Sequence, residues 1–114
     1  MQVNELRIGN WITSKSSRIP FQVTIEDFVF ILENIEHYKP IFVTEEHLFN
    51  LGATVQDSTI VLEIETDIKI VFERDTRAFF LYFDNGYNGV DIGYIHKLQN
   101  LIFELKDEEL EIKP

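Results

Sequence analysis

The chain has 114 residues, 45% hydrophobic and 13% aromatic, which fits one globular domain over residues 1–114 and excludes a disordered tail or a multidomain machine. Twenty acidic against ten basic side chains give a net charge of −10, which repels a nucleic-acid backbone, and the absence of cysteine excludes disulfides, thiol chemistry and cysteine-ligated zinc. The first ten residues are charged where a secretion signal is apolar, and nothing approaches the roughly 18 apolar residues of a membrane span, so a soluble, cytoplasmic protein is expected.

Leu6, Ile8, Trp11 and Ile12 around Gly9-Asn10 predict a short strand, a tight bend and a second short strand. Phe21, Val23 and Ile25 alternate with Gln22 and Thr24, the pattern of a half-buried strand. Phe28 to Leu32 is continuously apolar and reads as a strand buried on both faces or as the seam of a small SH3-like barrel built from the N-terminal strands. Tyr38-Lys39-Pro40 closes this region, because proline cannot donate to a ladder.

Thr44-Glu45-Glu46-His47-Leu48 predicts a helix start, with Thr44 as cap, two glutamates at the positive end of the dipole, and Gly52 as the stop about two turns later. Period-two alternation then runs through Ile60, Leu62 and Ile64, through Ile68, Ile70 and Phe72, through Phe79, Leu81 and Phe83, and through Val90, Ile92 and Tyr94. The breaks are short, so a four-stranded antiparallel meander is expected, the last break being Asp84 to Gly89. From Ile95 to Leu105 the spacing becomes helical, with Leu98, Leu101, Ile102 and Leu105 as a stripe to cover the meander. The fold class is therefore α+β: short N-terminal strands, a short helix, the meander and a covering C-terminal helix.

Charge is uneven along this order. Residues 1–43 hold five acidic and four basic side chains, residues 44–77 eight and three, and residues 78–114 seven and three. The acidity begins at the Thr44 helix and falls largely on the solvent-facing alternates of strands, where it serves solubility.

Three stretches carry a resemblance: Asn4-Glu5-Leu6-Arg7-Ile8-Gly9-Asn10-Trp11-Ile12, Tyr38-Lys39-Pro40-Ile41-Phe42-Val43-Thr44-Glu45-Glu46-His47-Leu48, and the run from Tyr94 to Leu110, whose His96-x-Leu98-Gln99-Asn100-Leu101 core is the most specific part. They resemble a family of small uncharacterised proteins of Bacteroides-type bacteria and their phages or prophages. The family pattern has proline at Phe42, leucine at Val43, tryptophan at His47, and Thr-Gly at Lys106-Asp107. The resemblance implies a phage or mobile-element setting and brings no mechanism; the change at His47 weakens any partner contact that used the tryptophan.

The sharpest candidate site is on the last helix, where His96, Gln99, Asn100 and Phe103 occupy i, i+3, i+4 and i+7 on the face away from Leu98, with Tyr94 nearby. Either the N-terminal half folds over this stripe and the polar groups pin backbone loops, which the need to bury aromatics favours, or the stripe meets a protein partner or a second copy in a homodimer, with Phe103 as anchor. Asp84-Asn85-Gly86-Tyr87-Asn88-Gly89 looks superficially like a calcium loop, but Ile95 stands where a bidentate glutamate belongs, and a hairpin turn explains it. His47 beside Glu46 has no second histidine at ligand spacing, so no metal site is assigned. There is no Gly-x-Ser-x-Gly, no phosphate-binding glycine loop and no singled-out carboxylate pair, so no catalytic residue and no cofactor is assigned. Lys15 and Arg18 decorate a loop tip.

The expected function is a small non-enzymatic protein-interaction or accessory module of phage or mobile-element origin, binding through the last helix or an exposed meander edge, with no direct nucleic-acid or membrane contact. One alternative is an acidic inhibitor that imitates nucleic acid on a host enzyme, motivated by the charge of residues 44–114; another is an enzyme acting on a small ligand.

Overall fold

In the computed structural model, which describes residues 1–83 and 85–114, the chain divides into two units, one formed by Met1–Phe42, Tyr94–Leu110 and Pro114, the other by Val43–Gly93 and Glu111–Lys113. The first unit opens with a 3-10 turn at Val3–Glu5, then β1 (Trp11–Ser14), β2 (Phe21–Gln22), the helix α1 (Ile25–Glu33), a second 3-10 turn at Ile35–His37 and β3 (Tyr38–Lys39). The sheet order is β2-β1-β3, all antiparallel. This open sheet stands where the sequence left room for an SH3-like barrel.

Two local expectations are corrected here. Leu6 to Ile8 is not a strand; Leu6 is buried in the core and the chain turns at Gly9, whose φ of +96° suits glycine. Phe28 to Leu32 is not a strand either but the body of α1. Its first turn carries Glu26 and Asp27 at the positive end of the dipole after the extended N-cap Thr24. Ile31 is fully buried, while Phe28, Leu32 and Ile35 pack at helical spacing against Leu6, Ile12 and Val23. Each such side chain contributes on the order of 1.5–3 kcal/mol when it leaves water.

The second unit begins with α2 (Glu45–Asn50). Thr44 Oγ1 accepts the His47 N–H at 3.2 Å, and His47 Nδ1 accepts the Thr44 N–H at 2.9 Å, a reciprocal capping box in which histidine takes the usual glutamate position. Burial holds the His47 imidazole below its ordinary pKa despite nearby Glu46, which keeps the Nδ1 lone pair free to accept.

After Gly52 come β4 (Thr54–Gln56), β5 (Thr59–Glu65), β6 (Ile68–Glu73), β7 (Ala78–Phe83) and β8 (Gly86–Val90), antiparallel in that order. The sheet thus has five strands, one more than predicted, because the exposed and weakly patterned β4 pairs with β5 from Thr54↔Val61 to Gln56↔Thr59. The last strand also starts earlier than the alternation suggested: Asn85 at φ +60° carries the turn and Gly86 already pairs with Phe83. Asp84 of the loop considered for calcium lies outside the described residues; Gly86 to Gly89 are strand. One sheet face carries buried Ile60, Leu62, Ile70, Phe72 and Phe79, with the Phe72 and Phe79 rings 4.8 Å apart. On the other face the register aligns Val61, Val71, Phe80 and Gly89 in one row and Glu63, Lys69, Tyr82 and Tyr87 in the next.

The helix α3 (Ile95–Lys106) belongs to the first unit, where it contacts β1. It ends at Asp107, whose N–H reaches Phe103 O at 2.7 Å and whose φ is +55°. An aspartate there carries the Cβ strain of left-handed backbone that glycine lacks. Asp107→Gly is expected to stabilise the fold by about 0.5–1 kcal/mol, read as a rise in melting temperature; an unchanged or lower value would show that the carboxylate contributes more than the strain costs. No helix among the described residues is long and apolar enough to cross a membrane.

Candidate functional site

The expected stripe on α3 faces the N-terminal segment of its own unit. His96 and Gln99 are 0% and 1% exposed, and Asn10 is 0% exposed. Gln99 Oε1 accepts the Trp11 N–H at 2.9 Å and Asn10 Nδ2 at 3.4 Å, while its Nε2 donates to Gly9 O at 3.0 Å. One position further, Asn100 Oδ1 accepts from Asn10 Nδ2 at 2.9 Å and Arg7 Nε at 3.1 Å, and its Nδ2 donates to Glu5 O at 2.8 Å. Asn10 closes the circuit by accepting the Arg7 N–H on Oδ1 at 2.7 Å. Backbone groups of Glu5, Gly9 and Trp11 are therefore paired by two amide side chains at consecutive positions of a helix.

Phe103 lies half-buried under the Arg7 guanidinium, which stands 4.3 Å above its ring and also forms an ion pair with Glu109, with Nη2 at 3.3 Å from Oε2. Tyr94 stacks on His96 with ring centroids 6.0 Å apart and meets Phe42 at 5.1 Å across the Phe42↔Tyr94 bridge. His96 Nε2 lies 3.1 Å from Glu5 Oε2, and Nδ1 meets no hydrogen-bond partner among the described residues. Burial lowers the His96 pKa more than the Glu5 carboxylate raises it. The neutral ring with its proton on Nε2 donates to Glu5, and a second proton on Nδ1 would be buried without an acceptor.

The four residues of the predicted stripe, His96, Gln99, Asn100 and Phe103, thus all meet the Glu5–Trp11 segment of the same chain, while Tyr94 meets His96 and Phe42. The segments Glu5–Trp11 and His96–Asn100 are the two halves of one hydrogen-bonded lock.

Among the described residues no group of three or more histidine, aspartate or glutamate side chains could hold a metal ion. Two shallow depressions open on the second unit, of about 420 Å³ beside Arg77, Phe79 and Asp91 and about 310 Å³ beside Lys69, Tyr82 and Tyr87. Neither lining includes a histidine or two carboxylates, so neither assembles an acid–base pair. Lys15 and Arg18 are exposed at the turn after β1.

What the sequence reading missed is the outward arc of α1. Ile25, Val29 and Phe30 are 71%, 64% and 62% exposed. At 100° per residue they span one side of the helix, interleaved with exposed Glu26 and Glu33 and edged by Asp27. Thr24 before two acidic residues, with Phe28, Ile31, Leu32 and Ile35 at helical spacing, is the signal that would have revealed this helix. No family model, no curated protein and no solved structure matches the chain.

Proposed function

We propose that the chain is a small non-enzymatic protein-interaction module, accessory to a phage or mobile element as its motif resemblance suggests, whose contact surface is the outward arc of α1. The observation that carries this reading is the trio Ile25, Val29 and Phe30, three large apolar side chains left mostly in water on one short helix. The amides of the α3 stripe are engaged within the first unit, so they are not needed outside it. Glu33 supports the choice of partner. It sits in the last turn of α1, where the helix dipole is negative and no basic residue offsets it. Glu26, Asp27 and Glu33 around an apolar ridge complement an apolar groove rimmed by lysine or arginine on another protein.

The test is a Val29→Ser/Phe30→Ser double variant. Both positions are exposed, so melting should move little, while affinity for a partner captured by the wild-type chain should fall roughly tenfold or more. Full affinity in the double variant would refute the α1 surface. If binding ignored this variant and instead collapsed with added salt, the nucleic-acid-mimic reading would replace it.

A further inference from the structure

We propose that His47 is an acid-operated latch on α2: a proton taken up at Nδ1 unmakes the reciprocal cap with Thr44 and frees the first turn of the helix. The latch rests on one lone pair. Thr44 N–H donates to His47 Nδ1 at 2.9 Å, while His47 N–H donates to Thr44 Oγ1 at 3.2 Å. In a capping box the returning acceptor is ordinarily a glutamate or glutamine oxygen, which goes on accepting in mild acid. An imidazole accepts only while neutral, and the protonated ring is a donor on both nitrogens. Protonation therefore replaces a hydrogen bond by two N–H groups pointing at each other, and the ring must swing away from Thr44.

Two further features of the site act in the same direction. The ring belongs to the first turn of α2, where unpaired backbone N–H groups make the helix end positive and repel an imidazolium. It is also half-buried, and burial disfavours the charged form. Two carboxylates stand nearby on α2. Glu46 favours the imidazolium, but burial outweighs it. Glu45 is paired by Arg74 from the turn after β6, with Nη2 at 2.9 Å from Oε1. A ring in the closed cap thus binds a proton less readily than a ring in an open first turn, so each proton bound favours opening. The latch is closed above the ordinary histidine value of 6.5 and is released as pH falls below it.

The other two histidines have different roles. His37 is exposed and pairs with Glu36 at 3.5 Å. His96 uses Nε2 toward Glu5, and its Nδ1 meets no partner among the described residues. Neither lends a lone pair to a backbone N–H.

What the latch controls is Leu48. This side chain is 2% exposed and follows His47 directly. Its N–H donates to Thr44 O at 3.3 Å, and its own carbonyl accepts the Ala53 N–H at 3.0 Å where the chain leaves α2 for β4. The helix packs against β5. Freeing its first turn loosens that packing locally and lets water reach an apolar side chain, without unfolding the sheet beneath.

Hydrogen exchange of the Leu48 amide tests this, followed by NMR from about pH 7.5 to about pH 5 and corrected for the intrinsic pH dependence of exchange. The amide of Ile70, in the doubly paired strand β6, is the reference for global opening. Relative to Ile70, protection of Leu48 in the wild-type chain should fall roughly fivefold in acid, the size of one lost helix cap. Its midpoint should coincide with the titration of the His47 ring read from the Nδ1 shift. His47→Gln keeps an acceptor oxygen that does not titrate and should stay level throughout. His47→Glu should do the same down to about pH 5, which keeps the test alive if the glutamine variant folds poorly. Level Leu48 protection in the wild-type chain, an equal fall in His47→Gln, or a midpoint that follows the His96 ring would each overturn the proposal.

Discussion

Gln99→Leu is expected to lower stability by about 3 kcal/mol, the largest effect of any single side chain on α3 that leaves the core volume nearly unchanged. The leucine has room, but the Trp11 N–H loses its acceptor, Asn10 Nδ2 keeps only Asn100, and Gly9 O keeps only Gln22 Nε2, at 3.1 Å. Each buried polar group left unpaired costs about 1–3 kcal/mol. Gln22→Ala is the matched control. It removes a donor to the same carbonyl from an exposed side chain and should cost under about 0.5 kcal/mol. Urea unfolding followed by the fluorescence of Trp11, the one tryptophan, reads both as midpoint shifts at constant slope. A Gln99→Leu loss below about 1 kcal/mol would mean that water enters and satisfies the Gly9–Trp11 turn.

Acid should act on the same region in two stages. Burial depresses the His96 pKa in the folded state, so below its ordinary value of about 6.5 the unfolded ring takes up a proton that the folded ring refuses. Its contribution is whole above that pH and is lost on acidification, with a slope of up to about 1.4 kcal/mol per pH unit. Glu5 follows at lower pH. Burial raises its pKa, but the hydrogen bond to His96 and the nearby Lys97 charge outweigh that and lower it overall. Its contribution therefore holds above the ordinary value of 4.5 and falls away beneath it. Because His47 is also depressed, the measurement uses a His47→Gln background. Denaturant midpoints between pH 7.5 and 3.5 should decline first below 6.5, and His96→Gln should abolish that first decline while lowering stability at every pH. A first decline that persisted in His96→Gln would assign it to other groups.

How far these features could be read from sequence depends on how strongly each is patterned. The α3 stripe was legible because helical spacing alone sets His96, Gln99, Asn100 and Phe103 on one face. Which surface met them was not, since the partner segment lies some ninety residues earlier and is irregular. The strands from β5 to β7 showed themselves through clean alternation. β4 did not, because three exposed residues carry no periodicity. The Thr44 cap was visible, although His47 as its reciprocal acceptor was not, a role usually taken by glutamate. α1 was misread for a more instructive reason. Between Phe28 and Leu32 its outward positions, Val29 and Phe30, are as apolar as its inward ones, and a run apolar on both sides gives the same signal as a buried strand. The residues that hid the helix are those left in water.

The lock between Gly9–Trp11 and α3 also sets an order of events during synthesis. The N-terminal strands leave the ribosome first, but the amides that satisfy their turn are made last. At roughly 5–20 residues per second, the first unit waits several seconds for α3, while the hairpins of the second unit close locally on a microsecond scale. For that interval the Trp11 N–H lacks its Gln99 acceptor and Glu5 O its Asn100 donor. The arrangement makes the last third of the polypeptide a clamp for the first, so translation that stops before Gln99 yields a folded meander attached to an N-terminal segment whose Gly9–Trp11 turn lacks the amides that pair it.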